Sequence, residues 1–315
     1  MSTWVVGASG KIGRALSERL LELGERVVGV GRHSRPSNFD IDWIAWDPAV
    51  NRVPLSALPP AERVYFLAGQ TSPAKARQDV AGDVTANLVT LLNVVSHAAV
   101  GGSFPHVITA GSATEWPLDL NGLVSRAPIS LPVSLYETSK AAQRLYLAQL
   151  ARENLIDFTT LRLANVYGGH ASRGTDRGFL DRCLRKAIQG EPVAYFTGSD
   201  FARDYVHVED VVEAFVLAGR HRPTVRNRVF DIGTGVSTPI RDVMVSLDEA
   251  LRAVKGVGVR LIPQTPPPEI DPADVNERTV NPLDFFRTTG WQAQVELPEG
   301  LRRSVLRLVE LSERC

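Results

Sequence analysis

The sequence predicts an α/β fold, in which a doubly wound parallel sheet is accompanied by a smaller C-terminal lobe. Two observations support this prediction. Apolar runs typical of buried strands alternate with segments of helical periodicity between Trp4 and Asn165. The first of these strands, Trp4 to Val6, runs directly into a glycine-rich turn that opens a helix. Strand, glycine turn and helix in this order are typical of the start of a parallel α/β sheet.

The glycine-rich turn is Gly7-Ala8-Ser9-Gly10-Lys11-Ile12-Gly13, which follows the pattern G-x-x-G-x-x-G rather than G-x-G-x-x-G. Leu16 and Leu20 then recur at helical spacing, and Gly24 ends the helix. Glycines let the backbone turn tightly and approach a pyrophosphate, which lies at the positive end of the following helix. We therefore predict that this turn binds a dinucleotide through Gly7, Ser9, Gly10, Lys11, Ile12 and Gly13.

The second predicted strand, Arg26 to Val30, is followed by Gly31 and Arg32. An acidic residue at this place would bind the adenosine ribose of NAD, and its absence removes a repulsion from a 2′-phosphate. Two unit charges 4 Å apart interact by roughly 4 kcal/mol at an effective dielectric of about 20. Arg32 could add attraction, so the pattern favours NADP(H) and leaves NAD as the alternative. Arg32 could instead stack on the adenine or point into solvent.

Tyr136 and Lys140 lie one turn apart on a predicted helix that follows Pro132. A free phenol has a pKa of roughly 10, and a nearby ammonium lowers it toward the range useful for proton transfer. The alternative is a purely structural role, in which a partly buried tyrosine lies beside a solvated lysine. Ser112, at the end of the predicted strand Val107 to Gly111, precedes Tyr136 by 24 residues. Its hydroxyl could hydrogen-bond a substrate oxygen as charge develops there.

The glycine turn, Ser112, Tyr136 and Lys140 together resemble the extended short-chain dehydrogenases/reductases. More narrowly, they resemble the NAD-dependent epimerase/dehydratase family, which acts on nucleotide sugars. Further segments resemble family motifs in the same order, namely Val64 to Gly69, Asn87 to Asn93, Thr160 to Gly168, Gly198 to Val211 and Phe230 to Gly235. The resemblance implies a Rossmann-like domain over residues 1–167 with a return segment at about 204–235, and a substrate-binding lobe over 168–203 and 236–315.

The resemblance also implies roles for individual residues. Ser112, Tyr136 and Lys140 would be catalytic, and Tyr136 and Lys140 would contact the cofactor as well. The other cofactor contacts would come from Asp47, Leu67, Ala68, Gly69 and Asn87. Asn87 could equally be a polar residue that only packs its helix. Substrate would be contacted by Ser112, Thr114, Asn165 and Arg203.

Several departures from the family motifs narrow the reaction. Ala113 and Thr114 stand where sugar dehydratases carry Asp and Glu, although Glu115 lies one residue further on and keeps that option open. Thr114 also replaces the cysteine of reductase-epimerases that act at C3 and C5, even though His170 matches their histidine. The segment Asp271 to Asp274 lacks the arginine that usually clamps the nucleotide, and Arg278 could substitute.

Three functions remain open on the sequence. Gly31 and Arg32 favour an NADPH-dependent reductase of a nucleoside-diphosphate 4-keto-(deoxy)hexose. The alternative is a nucleoside-diphosphate-hexose 4-epimerase that retains NAD. A non-catalytic dinucleotide sensor would need the glycine turn but not Ser112, Tyr136 and Lys140, so the presence of these residues argues against it.

Composition limits the partners. The 315 residues carry a formal net charge of +0, which gives no argument for nucleic acid or an anionic membrane surface. The two cysteines, Cys183 and Cys315, indicate neither a disulfide framework nor a metal cluster. We expect a soluble, cytoplasmic protein without a bound metal. The resemblance further implies a homodimer formed by the helices around Asn87–Ala99 and Tyr136–Ala151.

Overall fold

The computed structural model describes residues 2–36, 39–47, 49, 59–99, 103–115, 132, 134–169, 178–197, 202–266 and 279–313. The chain forms two compact units. The first comprises Met1–Arg162 and Ala214–Phe230, and the second comprises Leu163–Glu213 and Asp231–Cys315. Each unit has its own core of buried apolar side chains.

A seven-strand sheet forms the centre of the first unit, with the strand order β10-β6-β5-β4-β1-β2-β3. Neighbouring strands from β5 through β3 pair in parallel. The strands are β1 (Ser2–Val6), β2 (Val27–Gly31), β3 (Asp42–Ala45), β4 (Ala61–Phe66), β5 (His106–Ser112), β6 (Asp157–Leu163) and β10 (Arg228–Ile232). The predicted Rossmann-like α/β fold is confirmed.

The strand order reverses between β1 and β4, which are neighbours in the sheet although two strands separate them in sequence. Ligands of such sheets bind beyond the carboxyl ends of the strands at this switch point. Gly7 follows β1 and Leu67 follows β4, so the predicted dinucleotide residues stand at the switch point.

Helices cover this sheet because each presents an apolar stripe to it. Leu16 and Leu20 are fully buried on the first helix, and Leu147 on the fifth. Burying one such side chain contributes about 1.5–3 kcal/mol. The helices are α1 (Lys11–Glu22), α2 (Pro73–Gln78), α3 (Val80–Val84), α4 (Thr90–Ala98) and α5 (Leu135–Arg152). A π-helical turn, Thr85–Val89, joins α3 to α4, and a 3₁₀ turn, Ala113–Glu115, follows β5.

The second unit contains two small sheets. Its three-strand sheet has the order β11-β9-β7, and its two-strand sheet joins β12 to β8. These strands are β7 (Asn165–Tyr167), β8 (Val193–Phe196), β9 (Ala202–His207), β11 (Ser237–Pro239) and β12 (Leu261–Gln264). The helices of this unit are α6 (Phe179–Ile188), α9 (Ile240–Lys255), α10 (Leu283–Thr289) and α11 (Leu297–Glu313). Helix α7 (Val208–Arg220) carries the chain back to the first unit, where α8 (Arg222–Val225) precedes β10.

The observed division differs from the predicted one in two places. Residues 163–167, which were predicted in the Rossmann-like domain, belong to the second unit, and the return segment is shorter than predicted. Residues 204–207 belong to β9, which pairs with β7 and β11 rather than with the seven-strand sheet. The segment that joins the first unit is therefore Ala214–Phe230. Substrate binding by the second unit stays a prediction.

Two features of the described residues bear on the class of protein. None of their helices is long and apolar enough to cross a membrane. Nor do these residues contain a group of three or more His, Cys, Asp or Glu side chains placed to hold a metal ion.

Candidate active site

The turn after β1 is tight enough to require glycine at Gly7. Its φ is +87°, a conformation that other residues rarely adopt, and a Cβ there would lie 2.8 Å from the Ala68 amide nitrogen. The neighbouring strand end is held by the Leu67 amide, which donates to the Val6 carbonyl at 2.9 Å. Gly7 and Ala68 therefore lie against each other at the switch point, and their predicted contact with the cofactor stays a prediction.

The same turn leads into α1 through Gly10 and Gly13. The Gly10 amide donates to the Gly7 carbonyl at 2.9 Å, and a Cβ on Gly13 would collide with that same carbonyl oxygen. Gly10 caps α1 with extended backbone and provides no side-chain hydrogen bond to the first turn. The first amides of α1 are therefore not capped by the preceding residue and can receive an anion. Ser9, Lys11 and Ile12 lie in this turn.

Asn87 supports the backbone that follows β4, at Gly69 and Gln70. It is fully buried in the π-helical turn, and its Oδ1 accepts a hydrogen bond from the Gln70 amide at 3.1 Å. Gly69 has a φ of +144°, and a Cβ there would collide with the same oxygen. Both polar ends of the amide are used, because Nδ2 donates to Asp83 at 3.0 Å. The geometry favours a positioning role for Asn87 under Gly69, rather than a direct cofactor contact.

A buried polar network links Asn87 to helix α5. Asp83 accepts from the Ser139 hydroxyl at 2.6 Å, and the Gln143 side-chain amide donates to the Asn87 carbonyl at 2.6 Å. Lys140 joins the network because its Nζ donates to Gln143 Oε1 at 3.3 Å. Satisfied networks of this kind fix the relative position of the elements that they join. Asn87 lies within the π-helical turn, and π-helical turns are frequent at functional sites.

Lys140 is 6% exposed and projects from α5 toward the end of β5. Its Nζ donates to the Ala110 carbonyl at 3.0 Å. Burial lowers the pKa of Lys140 to about 8, although the Glu115 and Asp83 carboxylates oppose this shift. A lysine that is held this way can present its remaining N–H to a ligand at the carboxyl end of β5.

Tyr136 lies one turn before Lys140 on α5 and is partly buried. The N-terminus of this helix is capped by the Ser134 hydroxyl, which accepts from the Glu137 amide at 3.4 Å. The expectation that Lys140 lowers the pKa of Tyr136 is wrong for the cofactor-free chain. Burial raises the pKa of Tyr136 above its ordinary value, and three carboxylates raise it further, those of Glu115, Glu137 and Asp83. The protein alone therefore keeps the phenol protonated.

Ser112 ends β5, and its backbone is held by Glu115, the last residue of the 3₁₀ turn. Its amide donates to Glu115 Oε1 at 2.7 Å. The Glu115 side chain is 3% exposed, and its Oε2 lies 3.8 Å from Arg144 Nε. Burial raises the pKa of Glu115, whereas the Ser112 amide and the charges of Lys140 and Arg144 lower it. Because the carboxyl group points into the protein, Glu115 holds Ser112 in place rather than presenting an acid to a substrate.

The adenosine end of the predicted site differs from expectation in its details. Arg32 is exposed in the bend after β2, and its predicted contact with the cofactor stays a prediction. Asp47 is partly buried, and its Oδ1 accepts from the Ala49 amide at 3.0 Å. A Cβ on Gly31 would lie 2.6 Å from the Trp43 ring, so a side chain of β3 fills the place of an acidic side chain.

The predicted substrate residues of the second unit lie on adjacent strands. Asn165 begins β7 and pairs with Tyr205 of β9, two residues beyond Arg203. The Asn165 side-chain amide donates to the Asp204 carbonyl at 3.1 Å, and Arg203 donates to the Ala202 carbonyl at 2.8 Å. The Thr114 side chain, His170, Asp271 to Asp274 and Arg278 lie outside the described residues and side chains.

Sequence reasoning missed several polar residues that build the site. Asp83, Ser139 and Gln143 were not identified, and Glu115 was considered only as an acid. Asp83 stands four residues before Asn87, Ser139 three residues after Tyr136 and Gln143 three residues after Lys140. Polar residues one helical turn from the predicted ones were therefore the signal that could have identified them.

The residues of the first unit fit a bound dinucleotide. Gly7 and Gly13 keep open a cradle that a single Cβ would fill, and the N-cap residue of α1, Gly10, makes no side-chain hydrogen bond to the first turn. Lys140 and Ser112 stand at the end of β5, two strands from β1 in the same sheet. A nucleotide could therefore lie across the strand ends with its diphosphate at α1 and its reactive end toward Lys140.

Comparison with known proteins agrees with this geometry. The chain is 29% identical to the UDP-glucose 4-epimerase of Mycolicibacterium smegmatis, over 97% of both chains. The solved UDP-glucose 4-epimerase of Thermotoga maritima, bound to UDP-glucose, matches 99% of this chain and 100% of its own, with a TM-score of 0.82 and 25% identity. The Thermus thermophilus UDP-glucose 4-epimerase, in complex with NAD, matches 98% of this chain and 99% of its own, with a TM-score of 0.81 and 25% identity.

The sequence model of the NAD-dependent epimerase/dehydratase family matches residues 3–233, which is most of the chain. This range contains the glycine turn, Ser112, Tyr136, Lys140 and both predicted substrate residues of the second unit. The resemblance found in the sequence is confirmed. The chain belongs to the NAD-dependent epimerase/dehydratase family of extended short-chain dehydrogenases/reductases.

Proposed function

We propose that this protein is a nucleoside-diphosphate-hexose 4-epimerase that works with NAD. The observation that carries the proposal is the likeness to UDP-glucose 4-epimerases over nearly the full length of both chains. This likeness favours the epimerase over the 4-keto reductase that Gly31 and Arg32 suggested in the sequence. By the same likeness, a UDP-hexose is the substrate to test first.

Ser112 and Tyr136 would act on the hydroxyl at C4 of the sugar. The Ser112 hydroxyl would hold the C4 oxygen, since Glu115 fixes the Ser112 backbone at the end of β5. Tyr136 Oη would take the hydroxyl proton as the C4 hydrogen leaves and return it after the 4-keto sugar has turned its other face. NAD supplies the acceptor and donor of that hydride.

The raised pKa of Tyr136 has a consequence for this mechanism. Abstraction of a proton needs the phenolate, which the cofactor-free protein disfavours through burial and the carboxylates near it. Positive charge beside the ring would favour the phenolate. Lys140 can provide it when its hydrogen bond to the Ala110 carbonyl is exchanged for one to the bound nucleotide. Tyr136 would then become a base only in the loaded enzyme.

A second candidate is the NADPH-dependent reductase of a nucleoside-diphosphate 4-keto-(deoxy)hexose. It is favoured by the absence of an acidic residue at Gly31 and by the exposed Arg32 beside it. In this reaction the protonated Tyr136 of the free enzyme would already be the required acid. A non-catalytic sensor is a weaker third possibility, because Lys140 is positioned by two hydrogen bonds.

The test compares two assays on the purified protein. The first supplies UDP-glucose or UDP-galactose without added cofactor and follows conversion by chromatography. The second supplies a nucleoside-diphosphate 4-keto-6-deoxyhexose with NADPH and follows its absorbance. We expect interconversion in the first assay, with deuterium at C4 retained in the product. Stoichiometric NADPH consumption without interconversion would establish the reductase, and no turnover in either assay would favour the sensor.

We also propose that the protein forms a homodimer through α5 and the α3–α4 segment. Both carry large apolar side chains that stay exposed in the single chain. Leu145 is 65% exposed and Tyr146 49% on α5, and Val80 is 49% exposed on α3. A second copy of the same helices would cover them, as the family resemblance implies.

A further inference from the structure

The β2–β3 edge of the first unit carries a tryptophan that no part of the proposed reaction uses. Trp43 lies on β3 and pairs with Gly29 of β2. Its ring contacts the strand so closely that a Cβ on Gly29 would lie 2.7 Å from Cε3, and a Cβ on Gly31 would lie 2.6 Å from Cζ2. Real Cβ atoms essentially never approach this closely. At Gly29 the Ile41 side chain lies as close as Trp43, whereas at Gly31 all the nearest atoms belong to the Trp43 ring.

Two further contacts fix the orientation of this ring. The indole N–H of Trp43 donates to the His33 carbonyl at 2.9 Å. Phe39, which is 3% exposed, packs edge-on against the ring, with the centroids 6.3 Å apart. The ring is therefore held from the β2 side and from the loop that follows it. The hydrogen bond to His33 also holds the bend that contains Arg32.

Trp43 thus determines which side chains can stand at the carboxyl end of β2, where a cofactor ribose would bind. At this position a carboxylate would accept hydrogen bonds from the adenosine diol of NAD and repel a 2′-phosphate. No side chain fits at Gly31 while Trp43 keeps its place. Two acidic residues of the following segment form exposed ion pairs, Asp40 with Arg35 at 3.1 Å and Asp42 with Arg26 at 3.4 Å. The exposed Arg32 is the charged residue next to this end of the strand.

We propose that Trp43 is a specificity-determining residue of the adenosine-ribose subsite. By excluding a carboxylate at Gly31 and holding the Arg32 bend, it makes the site accept dinucleotides with or without a 2′-phosphate. NAD and NADP should bind with affinities within tenfold of each other. The inference rests on the proposed use of a dinucleotide and is independent of the sugar reaction.

The experiment measures binding of NAD⁺ and NADP⁺ by calorimetry, without sugar, on protein from which copurified nucleotide has been extracted. Arg32→Ser should weaken NADP⁺ about tenfold or more and leave NAD⁺ within about twofold, because a charge-assisted contact to phosphate is lost. Gly31→Asp alone should not tighten NAD⁺. In the Trp43→Val background, the same Gly31→Asp change should tighten NAD⁺ and weaken NADP⁺, each by about tenfold.

If the Gly31→Asp, Trp43→Val double variant folds poorly, the unfolding midpoints of variants with the smaller Gly31→Ala substitution still test the inference. Gly31→Ala should lower the unfolding midpoint of the wild type by roughly 3 °C or more, since its Cβ meets the ring. In the Trp43→Val background it should have no such effect. Three results would overturn the inference: a wild-type preference beyond tenfold for either dinucleotide, the same shift from Gly31→Asp in both backgrounds, or equal destabilisation by Gly31→Ala in both. Failure of epimerase turnover would leave these binding results unaffected.

Discussion

The two ends of the predicted dinucleotide site are built in different ways. At the catalytic end, Lys140, Asn87 and Asp83 are buried and joined by hydrogen bonds across β5, α5 and the π-helical turn. At the adenosine end, Arg32 is exposed, and an indole ring fills the place of a charged group. At the predicted catalytic end, hydrogen bonds fix the polar groups in place. At the predicted adenosine end, apolar packing determines which side chains can be present.

The largest expected effect concerns the proton carrier at the catalytic end. Tyr136→Phe should lower turnover by about 10²–10⁴-fold, or about 3–5 kcal/mol of barrier, because a positioned acid and base is lost. Nucleotide affinity should change little. Tyr146→Phe on the exposed side of the same helix is the matched control and should keep wild-type turnover. Wild-type turnover in Tyr136→Phe would contradict the mechanism.

The glycine cradle between the two ends can be broken by one methyl group. Gly7→Ala combines a positive φ with a clash against the Ala68 amide, so it should destabilise the protein by about 2–5 kcal/mol and abolish nucleotide binding. Gly24 also has a positive φ, +76°, but a Cβ there would have no atom within 4 Å. Gly24→Ala should therefore lower the free energy of unfolding by only about 1–2 kcal/mol. Chemical denaturation and calorimetry would measure both variants. Equal losses in the two would mean that the close approach at Gly7 is unimportant.

Helix α5 carries the proposed catalytic residues Tyr136 and Lys140, and it also carries exposed apolar residues. Leu145→Glu should weaken the proposed homodimer about a hundredfold, or about 2.7 kcal/mol, because an unpaired charge would be buried between the copies. Light scattering at micromolar concentration would show the loss of mass. Val257→Glu, an exposed apolar residue of the second unit, is the control and should leave the dimer intact. A wild-type monomer would refute the interface.

The network under Gly69 can be tested apart from the chemistry. Asn87→Ala leaves the Gln70 amide and the Asp83 carboxylate without this partner, so urea denaturation should show a loss of about 1–3 kcal/mol. Asn87→Asp keeps the acceptor for Gln70 but sets a carboxylate against Asp83, and we expect it to be no more stable than the alanine variant at pH 7. Wild-type stability in Asn87→Asp would show that the Asp83 contact contributes nothing.

The smallest effect depends on pH and comes from buried Lys140. Its folded pKa of about 8 lies below the ordinary value of 10.5, so between these pH values the unfolded chain binds more protons than the folded one. The free energy of unfolding of the wild type should therefore rise by about 1–2 kcal/mol relative to Lys140→Met between pH 7.5 and pH 9.5. Urea titrations of the nucleotide-free proteins would measure it. A constant difference would mean that the lysine is not destabilised by burial.

Much of the site was accessible from the sequence because its signals are local. The glycine turn is recognisable because it lies between a strand and a helix, and Tyr136 and Lys140 stand one helical turn apart. The strand positions followed from apolar runs, and the seven-strand sheet confirmed the fold class. Gly31 was also noticed, but it was interpreted as a preference for NADP, whereas the relatives with known structures include an NAD complex.

The sequence by itself determined the fold class and the place of the glycine turn, and it predicted the residues of a proton relay, because each rests on neighbours in the chain. Only the tertiary structure decided how these residues behave. Residues far apart in sequence meet at Asn87, where α5 supplies Gln143, and at Gly31, where β3 supplies Trp43. The pKa of Tyr136 is likewise raised by burial, by the adjacent Glu137, and by Glu115 and Asp83 from other elements. Burial and long-range contacts are properties of the packed chain, and no local spacing encodes them.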